Sequence, residues 1–254
     1  MVIITSCLDL YDKDENGNRI PHHFGNENGI LDLLKNNVKK YDNFLFVASV
    51  EDSPIATDMY AGVTIESFKI TLPFKEYKVL DGRTMHNAKN LVEEADFIFL
   101  CGGHLPTQNK FFNHINLREL IKNTNALILG GSAGSMNLAD TVYCPPELEG
   151  ESLDPTFNRY LKGLGLTNIN ILPHYNKFNG MQLDGKDYMK DIIYPDSYKK
   201  EIVLINDGTY IACDNGKEII YGEAYLLKDG EITQICVNDK SVEYGEKSYE
   251  QNII

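Results

Sequence analysis

The segment ALILGGSAGSMNLAD, residues 126–140, sets a serine among the smallest residues available: Gly130-Gly131-Ser132-Ala133-Gly134. This is a G-x-S-x-G pattern. An apolar run stands before it, and Met136, Leu138 and Ala139 follow at the spacing of a short helix. A serine on a sharp strand-to-helix turn exposes its hydroxyl as a nucleophile for acyl transfer. Such a turn strains the serine backbone, so its neighbours must be tiny, and Gly130, Ala133 and Gly134 meet that need. The same glycines could instead form a turn that cradles a phosphate, although the Walker lysine is missing.

A serine hydroxyl is scarcely ionised near neutral pH and needs a base. Of the six histidines, only His174 lies C-terminal to Ser132, where it closes the apolar run INILPHY. The base needs an orienting acid on its other ring nitrogen. After His174 the candidates are Asp184, Asp187, Asp191, Asp196, Asp207 and Asp214. Asp207 stands out because it closes the strand-like run IVLIN just before Gly208, although turn aspartates before glycine are common. The oxyanion of acyl transfer needs two N–H donors. Ala133 offers one, and Gly103, at the end of the run DFIFLCGG, can offer the second. Gly102-Gly103 reads equally well as a plain strand-to-helix turn.

These residues must be brought together by a scaffold, and the chain supplies an alternating pattern. The runs VIITSC, NFLFVASV, YKVLDG, DFIFLCGG and ALILGG read as strands. Between them lie helix-like segments: GILDLLKNNVKKY, SPIATDMYAGVTIESFKI, TMHNAKNLVEEA opened by Thr84, and TQNKFFNHINLRELIKN with Thr107 as its cap. Continuous apolar strands alternating with helices predict a mostly parallel, doubly wound sheet in a three-layer αβα arrangement. In such a sheet ligands bind beyond the carboxyl ends of the strands, where both glycine-marked ends would open. The second half is expected to hold an active-site loop and short helix in YCPPELEGESLDPTFNRYLKGLGL, and a helix in GMQLDGKDYMKDIIYPDS. A short antiparallel C-terminal extension should follow, with turns at NDG, DNG and KDG. The polar residues 11–27 read as a loop near the site.

The chain has 254 residues and no internal repeat or linker, which suits one α/β domain over 1–254. Its formal net charge of −13 argues against nucleic acid and anionic membranes as partners. No apolar run approaches the ~18 residues of a membrane span, and the first residues lack the basic start of a signal peptide. The five scattered cysteines form no CxxC pair, so no metal site is expected and the thiols read as reduced in a cytoplasm. The sequence leaves a homodimer open.

Taken together, the landmarks resemble the peptidase E (aspartyl dipeptidase) family, which also includes cyanophycinases. These are serine peptidases on the class I glutamine amidotransferase-like, flavodoxin-like fold. FIFLCGGHLPT is similar to the family's strand ending in Gly-Gly-Asn-Thr, LILGGSAGSMNLA to its Gly-x-Ser-Ala-Gly elbow, and IVLINDGTYIA to its acid-Gly-Thr strand end. The similarity runs roughly from Ile30 to Ile235. It implies Ser132 as nucleophile, His174 as base, Asp207 as acid, and Gly103 and Ala133 as oxyanion donors, acting on a small peptide with no metal or organic cofactor. Two departures stand out. His104 replaces the usual Asn and would face the substrate edge of the site, where it could contact the substrate or simply fill space. The arginine that holds the substrate's aspartate in aspartyl dipeptidases has no counterpart in FNGMQLDGKDYMKDII, where Lys186 and Lys190 are the cations and Lys177 lies just before it. The rival readings are an esterase, amidase or acyltransferase with the same three residues, and a catalytically silent binding domain on this scaffold.

Overall fold

The computed structural model of the chain describes residues 1–245. It opens with β1 (Val2–Thr5), a hairpin of β2 (Tyr11–Lys13) and β3 (Arg19–Pro21), and helix α1 (Ile30–Asn37). There follow β4 (Asn43–Val47), α2 (Pro54–Thr71), β5 (Glu76–Leu80), α3 (Ala88–Glu94), β6 (Phe97–Leu100), α4 (Leu105–His114), α5 (Leu117–Ile121), β7 (Leu127–Gly131) and the single turn α6 (Ala133–Met136). Next come β8 (Thr141–Tyr143), β9 (Tyr160–Lys162), β10 (Ile171–Leu172), the hairpin β11 (Gln182–Leu183) and β12 (Lys186–Asp187), a π-helix over Tyr188–Ile193, and α7 (Tyr194–Asp196). The described chain closes with β13 (Ile202–Ile205), β14 (Tyr210–Asp214), β15 (Lys217–Tyr221), β16 (Ala224–Lys228), β17 (Glu231–Cys236) and β18 (Ser241–Glu243).

The central sheet has eight strands in the order β18-β15-β14-β1-β7-β6-β4-β5. The five from β1 to β5 run parallel, and β14, β15 and β18 extend the sheet antiparallel from β1. The fold is therefore mixed α/β with a large, mostly parallel sheet. Its parallel strands β4, β6 and β7 are buried almost throughout, as strands covered on both faces must be. Phe44 on β4 packs against Phe68 on α2 and Phe97 on β6.

A separate four-stranded sheet, β10-β13-β16-β17, lies beside this one. Its two faces are explained by the two-residue period of a strand. Val203 and Ile205 of β13 point into the main core, whereas Ile202 and Leu204 point into a second cluster with Leu172, Tyr188 and Leu227.

Several local expectations are corrected. Residues 11–27 contain the β2–β3 hairpin. Residues 182–187 form a hairpin, because Asp184 and Gly185, both at positive φ, make a turn that no helix tolerates. The tract after the Pro-rich segment forms strand β9, paired with β8, and no helix. Helix α4 begins at Leu105, with His104 and not Thr107 at its N-cap. Pro106 accounts for this, since proline is suited to a helix's first turn. No helix among the described residues is long and apolar enough to cross a membrane.

Candidate active site

The site forms at the carboxyl ends of β1, β6 and β7, completed by loops from the smaller sheet. Parallel pairing sets Leu100 beside Gly130 and Gly131 beside Thr5, so the two glycine-marked ends do open at one edge. The neighbouring pair β4 and β6 lies where the strand order reverses direction, the usual place for a ligand in such a sheet.

Ser132 has φ 50° and ψ −117°. A non-glycine residue rarely adopts such a conformation and must be held there by its surroundings. Its N–H donates to the carbonyls of Thr5 (3.2 Å) and Ser6 (3.0 Å). Three residues on, at Ser135, the hydroxyl donates to the Thr5 carbonyl and accepts from the Thr5 N–H, both at 2.8 Å. The flanking glycines are demanded by space. A Cβ on Gly134 would sit 2.2 Å from the Leu100 carbonyl oxygen, and one on Gly130 would sit 2.7 Å from Ser135 Cα. The expected helix after the serine is one turn long, so its macrodipole contribution at the site is small.

His174 follows β10 with φ 60° and ψ 30°, and Asp207 follows β13. Because β10 and β13 are parallel neighbours, their exits lie side by side. The Ser132 hydroxyl is 3.1 Å from His174 Nε2, and His174 Nδ1 is 2.5 Å from Asp207 Oδ1. Ser132, His174 and Asp207 thus form one continuous hydrogen-bonded line. Burial works against the charge on Asp207, but hydrogen bonds from His174, Lys177 and Ser6 outweigh it and hold the carboxyl well below the usual carboxylate range. Lys177 Nζ lies 2.6 Å from Asp207 Oδ2.

Gly102 and Gly103 run past the serine: a Cβ on Gly102 would be 3.3 Å from Ser132 Cβ, and Gly103 packs on Ser49. A buried amide chain fixes this strand end. Asn109 Nδ2 donates to Asn137 Oδ1, Asn137 Nδ2 to Gln108 Oε1, and Gln108 Nε2 to the Cys101 carbonyl. Ala133 is buried directly after Ser132. His104 has both ring nitrogens engaged: Nδ1 lies 2.7 Å from Thr107 Oγ1 and Nε2 2.9 Å from Glu151 Oε1. It therefore ties the Pro-rich loop to the start of α4. The loop after the β2–β3 hairpin also reaches this end of the molecule, where Phe24, Gly25 and Glu27 border Cys7 and Gly208.

All four arginines of the chain have a charged or aromatic partner, although Arg19 Nε and Nη1 and Arg159 Nη1 are buried without a hydrogen bond. Arg19 stacks on Tyr11 and Tyr60, Arg83 pairs with Asp58 and Asp81, Arg118 with Asp140, and Arg159 with Asp196. Among the described residues no cluster of His, Cys, Asp or Glu is suited to a metal.

The sequence reading passed over Ser6. Its hydroxyl donates to Asp207 Oδ1 at 2.7 Å, and it is fully buried. The available signal was its position: it follows an apolar first strand, at the sheet edge where ligands bind. The amide chain of Gln108, Asn109 and Asn137 carried no such signal, because two polar residues on a helix and a third just past another helix look like surface positions.

A serine on a strand-to-helix turn, a histidine and an acid thus meet at one edge of a mostly parallel sheet. The chain belongs to peptidase family S51, the peptidase E family, whose model matches residues 21–221. That membership supports a serine peptidase. The fold is similar to that of a peptidase from an acI-B1 Actinobacterium, at a TM-score of 0.65 and 17% identity over 96% of each chain. A second structure, a Listeria monocytogenes EGD-e protein provisionally described as peptidase E, aligns at a TM-score of 0.49 and 15% identity, covering 92% of this chain and 96% of that one. No curated protein matches the sequence.

Proposed function

We propose that the protein hydrolyses dipeptides or other short peptides through a Ser132-His174-Asp207 triad. The observation that carries this reading is the line of contacts at 3.1 and 2.5 Å from a serine held at a strained elbow. His174 Nε2 takes the hydroxyl proton as Ser132 Oγ attacks the scissile carbonyl. Asp207 holds the imidazole in the tautomer with the proton on Nδ1 and stabilises the imidazolium that forms. The N–H groups of Gly103 and Ala133 receive the oxyanion. Protonated His174 then gives its proton to the leaving amine, and a water deprotonated by His174 releases the acyl group from Ser132.

The substrate's side chain is argued from what is missing. An aspartyl dipeptidase needs a guanidinium fork for its carboxylate, and the four arginines here are already paired or stacked. Lysine does not replace that fork, and Lys177 is held by Asp207. The pocket is therefore read as one for dipeptides other than Asp-X. His104 acts in this reading as a wall of the pocket, fixed by Glu151, and not as a free substrate contact.

The test is a panel of dipeptides that includes Asp-X, with Ser132→Ala beside the wild type. Cleavage of other dipeptides, lost by several orders of magnitude in the variant, is expected. Cleavage of Asp-X alone would overturn the specificity reading, and undiminished activity of Ser132→Ala would overturn the triad.

A further inference from the structure

We infer that Ser6 is a positioning residue that joins all three members of the proposed triad. The inference rests on the triad reading above. Ser6 sits just beyond β1, the strand paired in parallel with the elbow strand β7. It has no exposed surface, so its hydroxyl must find its partners inside the protein.

Each partner belongs to the site. The Ser6 hydroxyl donates to Asp207 Oδ1 at 2.7 Å, the same oxygen that faces His174 Nδ1 at 2.5 Å. It accepts from the main-chain N–H of His174 at 2.8 Å. Its carbonyl accepts from the Ser132 N–H at 3.0 Å. One residue therefore holds the nucleophile's backbone, the base's backbone and the acid's carboxylate.

The hydroxyl also lies 3.4 Å from His174 Nδ1, and its two shorter contacts have different work to do. Donation to Oδ1 fixes the direction of the carboxylate and shares its charge, which sets how strongly it draws the imidazole proton. Acceptance from the His174 N–H holds a residue at φ 60°, where a side chain is disfavoured unless the surroundings impose it. That backbone conformation aims the ring at Ser132. Without the hydroxyl, the His174 N–H loses its acceptor and Asp207 loses a donor, and a buried polar group left unpaired shifts to find a new partner. Ser6 touches no reacting atom, so its influence runs through His174 and Asp207.

The experiment compares wild type, Ser6→Ala and Ser132→Ala on the best dipeptide of the panel. In parallel, the far-downfield proton resonance of the His174–Asp207 hydrogen bond is recorded by NMR. Ser6→Ala is expected to lower kcat by about 10- to 100-fold, the size of effect that follows a small misplacement of reacting groups, with KM little changed. The downfield resonance should move or broaden, while the thermal midpoint stays close to wild type. Loss of activity in Ser132→Ala, with full kcat and an unmoved resonance in Ser6→Ala, overturns the role of Ser6 and leaves the triad standing. Undiminished activity in Ser132→Ala removes the triad and this inference with it. Should Ser6→Ala fail to fold, Ser6→Gly, which also removes the hydroxyl, takes its place; a normal kcat with an unmoved resonance then overturns the inference.

Discussion

The two sheets hold their parts of the site by different physics. In the parallel half, Ser132 is placed by steric exclusion: Gly130 and Gly134 let backbone approach backbone, and no side chain would fit. In the smaller sheet, Asp207 is placed by donation from the Ser6 hydroxyl and from Lys177, and His174 by its own main-chain N–H donating to that hydroxyl. The lesson is that the nucleophile's position is set by shape and tolerates almost no substitution around it, whereas the base and acid are set by donors that can be removed one at a time. Each half should therefore fail in its own way.

The largest effect is expected at the acid. Asp207→Asn keeps the shape but presents its amide N–H or carbonyl where a carboxylate held the imidazole tautomer, so kcat should fall about 10⁴-fold in a folded protein; steady-state kinetics beside circular dichroism measures both. The same variant reports on pH. Because the folded carboxyl lies below its ordinary value of 3.8, its ionised form stabilises the fold above that pH, and this support is lost as pH falls through the folded value. Acid unfolding of Asp207→Asn should accordingly be flatter than wild type below about pH 4. An unchanged acid limb would mean that the donors around Asp207 do not favour its charge.

Next in size is the steric half. Gly134→Ala forces a methyl onto the Leu100 carbonyl and should cost about 3 kcal/mol or more of stability, seen as a lowered denaturation midpoint. If this variant were stable but slow, the contrast between shape and hydrogen bonding would be blurred.

A third test concerns a carboxylate with the opposite environment. Burial, with Glu151 nearby, pushes the Glu147 carboxyl up to about 7. A raised carboxyl favours the fold at low pH and loses that advantage as pH rises through the folded value. Glu147→Gln should be relatively more stable than wild type at pH 8 than at pH 5, which thermal melts at the two values would show.

The smallest effect is expected at Lys177. Its ammonium is more than half exposed, and exposed ion pairs contribute roughly 0–1 kcal/mol. Lys177→Met should lower kcat no more than about fivefold, with the deficit shrinking at high salt. A loss as large as that of Asp207→Asn would give Lys177 a direct part in the chemistry.

What the sequence disclosed follows the same divide. Ser132, Gly130 and Gly134 were legible because a strained turn requires residue types that nothing else explains. His174 was legible as the one histidine after Ser132, and Asp207 by its place at a strand end together with the family's acid-Gly-Thr motif. The parallel strands were legible because burial on both faces leaves unbroken apolar runs. The split into a second sheet was not, since β10 pairs with β13, distant in the chain, and is two residues long. The hairpin at 182–187 was hidden for a related reason: its turn rests on a single aspartate and glycine at positive φ. The tie between His104 and Glu151 was not legible, because nothing in the sequence pairs residues 47 positions apart.

Because β10 and β13 are parallel neighbours in one sheet while Ser132 rides on another, the site has one stiff distance and one adjustable one. A slide or tilt of the smaller sheet would carry imidazole and carboxylate as a unit and change their reach to the Ser132 hydroxyl and to Ser6. The seam between the sheets, filled by Ile171, Val203 and Ile205, is then a throttle: a methyl group added or deleted there would tune turnover from outside the pocket while leaving the charge pair intact.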